Sequence, residues 1–535
     1  MSNLSDSARQ AEERLRRAYD EVPYQGSAIK ETHPAHLGAI ATLFGLEPAP
    51  FGACRVLELG CGDGGNLLPM AAAAPGSTFV GIDLSPRQIA AGQAAAADLG
   101  LANLELRVES LLDFEPGPEP FDYLLVHGVF SWVGPREQER ILELCREALA
   151  GHGVAYVSYN TYPGWHQREM LRSLMLWVSR DEGDLERRRV KAVAWVEKLA
   201  AATAAGGKAD PHALFLAETR EHLADYDERP TYLIHEYLEE ANSPLYFHRF
   251  VARAGAHGLA YLADADPASL EPEPLPAALA AHAAEVAADR LEVEQLLDFL
   301  HNRSFRRSLL VRREAALTPA ADAGRVSGLA VASAVRIVEQ GSAPSQPPSF
   351  QTLEGRSFRT AHPIAQAALL GLTAAWPGTL SFEGTLAAAR ERWTEVGGEG
   401  ELAAPRLAEF LLASFVAGVV SLHRAPFAGG ARPGTRPEIF AAARWRAAAG
   451  ALVPNLYHRA LKLDDDLARL LLPLADGSRD RAALAAALAE PARAGRLKLE
   501  AEGRPIDDPK ALAALLPRLV DHHLARAAEL GLVVG

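Results

Sequence analysis

Between Arg55 and Tyr159 the chain alternates short β-rich runs with helical ones, and no other feature restricts its fold as much. The runs Arg55–Leu59, Thr78–Ile82, Leu104–Val108, Phe121–Val126 and Gly153–Tyr159 predict strands, and Gly65–Ala74, Pro86–Leu99 and Arg136–Ala150 predict helices among them. Strands separated by helices of this length must cross over rather than turn back as hairpins. The pattern therefore predicts a parallel, doubly wound α/β sheet.

The first strand runs straight into Gly60-Cys61-Gly62-Asp63-Gly64-Gly65, which opens a helix. Side chains are missing where a ligand has to touch backbone. Gly60, Gly62 and Gly65 satisfy the spacing of a dinucleotide fingerprint, so the glycines alone leave the ligand open. Glu58, two residues before the first glycine, would meet a pyrophosphate unfavourably but can hold a cationic ammonium, which favours a cofactor bearing an amino acid. Asp83 follows Gly60 by 23 positions and ends the second strand, where a carboxylate accepts hydrogen bonds from both hydroxyls of a ribose. The third strand ends in Glu109-Ser110-Leu111, an acceptor for an adenine amino group with a backbone donor beside it, and the fourth ends in His127-Gly128. All of these ends fall on the edge of the sheet where open α/β sheets bind ligands.

Outside this segment the chain changes character. Residues 1–50 carry a helical run at Glu12–Arg17, a second near His36–Phe44, and breaks at Val22-Pro23 and His33-Pro34, and they read as an N-terminal lid segment in which Tyr24 and His33 sit. Residues 51–180 hold the predicted sheet. From Glu169 to Ala205 and from Glu218 to Gly258 the spacing is helical, so 181–345 reads as a mostly helical middle domain. Two Pro-rich stretches, Glu271-Pro272-Glu273-Pro274 and Ala343 to Pro348, punctuate it, and a boundary is placed near 345. Residues 346–535 are Ala/Leu/Arg-rich helix with short β-like runs at Val419–His423 and Gly531–Gly535, a pattern that suggests winged-helix units. The basic run Arg303–Arg313 reads as a solvated helix face, or as a grip on an acidic partner.

Composition excludes several classes. A net charge of −14, with no Lys/Arg stripe interleaved with aromatics, argues against nucleic acid as substrate and suits basic or amine partners. Three cysteines, Cys54, Cys61 and Cys145, lack C-x-x-C spacing and cannot staple 535 residues, which points to a reducing, cytoplasmic setting. Cys54 and Cys145 read as core residues and Cys61 as a small filler in the turn. The first residues lack the apolar core of a signal peptide. The longest apolar stretch, Leu407–Leu422, contains Glu409 and is short for a membrane span, so it reads as a buried helix running into a strand. No cysteine or acid cluster accompanies His235 or His248, and no metal is expected.

Taken together, Glu58-x-Gly60-x-Gly62, Asp83, the acid of the third strand and the loop after the fourth resemble the class I methyltransferases, whose domain is Rossmann-like. Longer strings narrow the resemblance: Tyr19-Asp20-x-x-Pro23-Tyr24, Thr32-His33-Pro34, His127 to Val133, and Tyr159-Asn160-Thr161-Tyr162-Pro163-Gly164-Trp165. They are similar to bacterial methyltransferases that carry a methyltransferase regulatory domain, including rickettsial protein-lysine methyltransferases of outer-membrane proteins. The likeness continues through Tyr232 to Leu238, Phe299 to Arg306 and Asp476 to Asp480.

What the resemblance implies is S-adenosylmethionine as cofactor, held by Glu58, Gly60, Cys61, Gly62, Asn66, Asp83, Leu84, Glu109, Ser110, Leu111, His127 and Gly128. It also implies transfer of a methyl group, for some members to a lysine on a protein or peptide. His127, Tyr159 and Asn160 are the catalytic candidates, His127 either taking the amine's proton or hydrogen-bonding the cofactor. Tyr24, Trp132, Tyr159, Tyr162 and Trp165 are expected to line the acceptor pocket, because aromatic faces desolvate an amine and attract a methylammonium. Three other readings stay open at this point: tailoring of a small natural product or ribosomal peptide, a non-catalytic scaffold, and an NAD-dependent enzyme.

Overall fold

Five parallel strands form the middle of the molecule: β1 (Arg55–Leu59), β2 (Thr78–Asp83), β3 (Leu104–Val108), β4 (Phe121–Val126) and β5 (Leu149–Asn160). The computed structural model describes residues 6–534 apart from 205–210, 225–229, 240, 271–274, 284, 288, 340–346, 427–429, 431, 451, 464, 502–503 and 507. The Pro-rich stretches at 271–274 and 343–346, the boundary near 345, the Tyr232 side chain and the final Gly535 therefore lie outside the described residues.

Helices α1 (Asp6–Glu21) and α2 (Pro34–Leu43) precede the sheet. Within it, α3 (Leu67–Ala73), α4 (Pro86–Asp98) and α5 (Pro135–Ala148) make the crossovers. Three of these starts have a local cause: Pro at the first turn supplies the right φ without needing its missing N–H, in α2, α4 and α5 alike. In α4 the Ser85 hydroxyl caps Gln88 N, and in α2 the His33 ring caps Ala35 N.

The segment after β5 departs from expectation. Helices α6 (Trp165–Ser179), α7 (Leu185–Ala204), α8 (Pro211–Ala224), α9 (Pro230–Tyr237) and α10 (Phe247–Ala256) form as the spacing predicts. The chain then returns to the sheet through β6 (Leu259–Asp264), and after α11 (Ala277–Ala283) and α12 (Arg290–Leu300) through β7 (Phe305–Arg312). The strand order is β3-β2-β1-β4-β5-β7-β6, with β7 antiparallel to both neighbours. Residues 181–345 are thus mostly helical but also supply the last two strands of the seven-stranded sheet.

The basic run Arg303–Arg313 is corrected by the same observation. It is strand, not helix, and Arg306 is 2% exposed. Its guanidinium makes a two-pronged pair with Asp298 at 2.8 Å on each arm and meets Glu294 Oε2 at 2.8 Å, over the face of Phe247. A charge this deep is tolerable only when fully paired. The pairing ties β7 to α12 and presents Arg307, the next residue along, to the opposite side of the strand.

Alternation along the strands fills both faces. One face carries Val56, Tyr123, Leu125, Val154, Tyr156 and Leu309, and its core runs without a break into α2 and onward to Val331, Leu369, Leu407 and Leu422. The other carries Leu57, Leu124, Val126, Val157 and Tyr159. The residues beyond β7 that join the first core come from β8 (Ala330–Ala332), β9 (Arg336–Glu339), β10 (Ser349–Gln351), β11 (Ser357–Arg359), α13 (Pro363–Ala375), β12 (Leu380–Ser381), α14 (Phe382–Arg392), α15 (Ala404–Val416) and β13 (Ser421–His423). The stretch Leu407–Leu422 is the buried helix and strand that its composition predicts.

A third core belongs to the last hundred residues and joins Ile439, Val453, Leu467, Leu484, Leu516 and Leu532. Its elements are α16 (Ala441–Ala449), the hairpin β14 (Leu452–Pro454) and β15 (Ala460–Lys462), α17 (Asp466–Leu474), α18 (Arg481–Arg493), the hairpin β16 (Glu500–Ala501) and β17 (Arg504–Pro505), and α19 (Pro509–Glu529). Helices with short hairpins match the expected winged-helix character. Among the described residues no helix is long and apolar enough to cross a membrane, and no group of three or more His, Cys, Asp or Glu could hold a metal ion.

Candidate functional site

A cavity of about 500 Å³ opens at the carboxyl edge of the sheet. The turn after β1 forms its floor. Gly60, Gly62 and Gly64 all have positive φ, and a side chain at Gly60 would collide with Val129 Cγ2 at 2.5 Å. Glycine is required there for conformation and for room. Asp83 ties this turn to β2: one carboxylate oxygen accepts Gly62 N at 2.9 Å and the other accepts Ser85 N at 2.8 Å. Burial raises the Asp83 carboxyl above its usual range while these N–H donors pull it back.

Glu58 lies beneath the turn and is 4% exposed. Its Oε1 accepts Asn66 Nδ2 at 2.8 Å, whereas Oε2, buried in the cavity wall, has no hydrogen-bond partner among the described residues. Burial first, with Asp63 and Asp83 adding to it, pushes Glu58 up to about 8. An acceptor left bare in a buried wall calls for a donor from a ligand, and a cationic amine would satisfy both its hydrogen bond and its charge. Gln88 Oε1, bare in the same wall, is a second such acceptor.

The N-terminal segment covers the cavity from above. Asp20 takes the Ser85 hydroxyl at 2.6 Å and its carbonyl takes Arg87, while Tyr19 stacks on His235 with ring centroids 4.7 Å apart. His235, read from sequence as a surface or core residue, is buried, bonds Val22 O and Glu239, and lines the cavity.

Of the residues singled out from sequence, Glu58, Gly60, Cys61, Gly62, Asn66, Asp83, Leu84, Glu109, Leu111, His127, Gly128, Tyr24, Trp132 and Asn160 all border this cavity. Four do not. Ser110 turns its hydroxyl to Glu12 and to Leu112 N. Tyr159 is 1% exposed, stacks on Phe250 at 4.2 Å and bonds Ser308. Trp165 is buried behind Trp132, edge to face at 6.4 Å. Tyr162 stacks on His166 and bonds Glu169. The reason for Tyr159 is the pleat: Tyr156, Ser158 and Asn160 of β5 point to the His127 side and Tyr159 to the other.

His127 Nδ1 lies 2.9 Å from the Tyr156 hydroxyl, and burial lowers the imidazole to about 4. An imidazole that reluctant to charge is held here as a neutral hydrogen-bonding group. Asn160 has its backbone N held by the Ser131 hydroxyl and its amide NH2 by Asn242, leaving the amide oxygen for the cavity.

Glu236, on α9, faces the same cavity with Arg168 at 3.5 Å, and burial raises it to about 7. Glu236, Gln88, Arg307 and Tyr19 were not named as site residues from sequence, although Tyr19 and Glu236 stand in the strings that carry the resemblance and Arg307 in the basic run. Glu236 and Arg307 belong to elements that fold back onto the sheet from far along the chain, and no local spacing marks them.

The comparisons with known proteins come from three stretches and two kinds of relative. The sequence matches a methyltransferase domain over residues 57–155, a predicted methyltransferase regulatory domain over 229–312 and a PKMT C-terminal winged helix domain over 435–532. It is 36% identical over 296 residues to the uncharacterized protein RP789 of Rickettsia prowazekii, covering 55% of this chain and 53% of that one. The chain thus spans about half the length of that relative. It is 36% identical over 241 residues to the uncharacterized protein RP028 of the same organism, covering 44% of this chain and 93% of that one. The structure of PKMT2 from Rickettsia typhi in complex with AdoHcy superposes with a TM-score of 0.82 at 26% identity, covering 96% of this chain and all of that one.

Proposed function

The chain belongs to the class I S-adenosylmethionine-dependent methyltransferases with regulatory and PKMT winged-helix domains, and from that premise we propose that it methylates a lysine side chain on a protein or peptide. Its cofactor is S-adenosylmethionine, and the family sets aside the NAD-dependent and scaffold readings. The observation that carries the lysine reading is the part of the cavity lining that lies outside the glycine turn. Tyr24, Trp132 and Asn160 stand there with Glu236, an aromatic and acidic lining suited to a long side chain ending in an amine.

In this reading Glu58 and the turn hold the amino-acid end of the cofactor, Asp83 the ribose hydroxyls, and Glu109 with Leu111 the adenine. When bound, the cofactor supplies a methyl group on a positively charged sulfur, which an amine nitrogen in line with it can take. The protein's work is alignment and the exclusion of water. A lysine must also lose its proton, at a cost of about 4–5 kcal/mol at pH 7 from its ordinary pKa of roughly 10.4. Trp132 and Tyr24 lower that cost by desolvating the ammonium, Glu236 receives the proton, and the Asn160 amide oxygen orients the neutral nitrogen.

The test is transfer of a labelled methyl group to polypeptide acceptors, followed by complete hydrolysis and identification of the labelled amino acid. Methyl-lysine formed by wild type and not by Asp83→Ala is the expected outcome. Label found only on a small molecule, or on oxygen or carboxyl groups, rejects the lysine acceptor while leaving the cofactor assignment in place.

A further inference from the structure

Asn66, in the cavity wall, is held by a residue from the far end of the chain. His458 sits in the turn between β14 and β15 of the winged-helix domain, and its Nε2 lies 2.7 Å from Asn66 Oδ1 across 392 positions of sequence. Both side chains are buried, at 2% and 4% exposure. The turn is built to aim this ring. His458 has φ +56, a left-handed conformation that is strained for a side-chain-bearing residue. Asn455 holds it there by accepting Tyr457 N and Arg459 N on its amide oxygen and donating its NH2 to Leu530 O.

Asn66 is a junction. Its amide oxygen also accepts Ile29 N at 3.1 Å, and its NH2 donates to Glu58 Oε1 at 2.8 Å. Which end of the amide faces Glu58 depends on what the other end meets. Ile29 N–H points at the oxygen, and so does His458 in its Nε2–H tautomer; the Thr32 hydroxyl lies 3.1 Å from the oxygen and 3.0 Å from the NH2, and the NH2 faces the carboxylate. Burial keeps His458 neutral, lowering it to about 3. Its ring is flanked by His33, with centroids 5.1 Å apart, and the nearest charge acting on it is Glu31. A second contact from the same domain presses on the same turn: Arg446 of α16 donates to Gly26 O at 2.6 Å and lies 3.5 Å from Asp63, whose other oxygen caps Gly65 N.

We propose that His458 is a positioning residue of the cofactor site, through which the winged-helix domain orients the Asn66 amide and so holds Glu58 ready for the cofactor's ammonium. This rests on the assignment of Glu58 to that ammonium. The catalytic domain is then incomplete without the last domain of its own chain, and whatever shifts the winged helix changes cofactor affinity.

The test uses the full chain and AdoHcy as probe, titrated calorimetrically from pH 6 to 9. His458→Asn keeps a residue that tolerates the left-handed turn but is too short to reach Asn66. His458→Gln restores a donor of similar reach. His458→Asn is expected to weaken binding about tenfold at pH 7.5, the worth of one buried hydrogen bond. It should also move the acid limb of the affinity profile to higher pH, because a misoriented amide no longer favours the Glu58 carboxylate over its acid. Asp63 and Asp83, the other charges near Glu58, are unchanged by the substitution. His458→Gln should return both quantities toward wild type, and in an Asn66→Ala background His458→Asn should cost nothing further. An unmoved acid limb in His458→Asn, or additive losses with Asn66→Ala, overturns the proposal, and the additivity reading stands even if the single variant is less stable. A wild-type profile that does not respond to Glu58→Gln would instead sink the Glu58 assignment beneath it.

Discussion

Cofactor affinity should depend on pH through Glu58, and the structure supplies the size of the effect. Burial pushes this carboxyl up to about 8 against an ordinary 4.5, which favours its protonated form at neutral pH. A bound ammonium favours the carboxylate, so binding below pH 8 expels a proton. The sign follows: affinity falls as pH drops, because the binding-competent anion becomes rarer. Relative to pH 9, the loss is about tenfold at pH 7 and about a hundredfold at pH 6, or near 2.7 kcal/mol at 1.36 kcal/mol per unit. Calorimetry in buffers of differing ionisation enthalpy reads both the affinity and the proton released. Glu58→Gln should bind more weakly at pH 9, with no acid limb. An affinity constant from pH 6 to 8, or no proton release at pH 7, refutes the argument that Oε2 waits for a cation.

Two further outcomes follow from groups described above. Glu236→Gln should leave AdoHcy affinity unchanged and lower methyl transfer to a lysine acceptor by about a hundredfold, the ordinary contribution of a positioned base, and unchanged turnover would remove Glu236 from the chemistry. Arg306→Ala leaves Asp298 and Glu294 buried without their partner and should cost about 3–5 kcal/mol in urea unfolding, whereas a loss below about 1 kcal/mol would mean that the carboxylates find other partners.

How much of this was legible beforehand depended on whether a feature is local. The five parallel strands, the glycine turn, Glu58 and Asp83 could be read directly, because their signals lie within a few residues of one another. Strand period, the absence of Cβ atoms at the turn and an acid at a strand's end all express constraints that the backbone meets on the spot. The capped starts of α2 and α4 belong to the same class.

What needed the tertiary structure was every feature set by a distant partner. Arg303–Arg313 has the charge of a solvated helix and becomes a strand because β5 offers an edge, and because Asp298 and Glu294 can neutralise Arg306. Tyr159 and Asn160 are neighbours of equal promise in sequence, yet the pleat sends one into the core beside Phe250 and the other into the cavity. Glu236 and Arg307 reach the cavity from α9 and from β7, and His458 reaches Asn66 from a winged-helix turn, and no local spacing gives any of them that place. Local chemistry determined the glycine turn and the acids beside it, Glu58 and Asp83, since their signals lie within a few residues of strand ends. The rest of the cavity lining and its supports were decided by the packing of elements far apart in the chain, where side-chain direction is a property of the assembled fold.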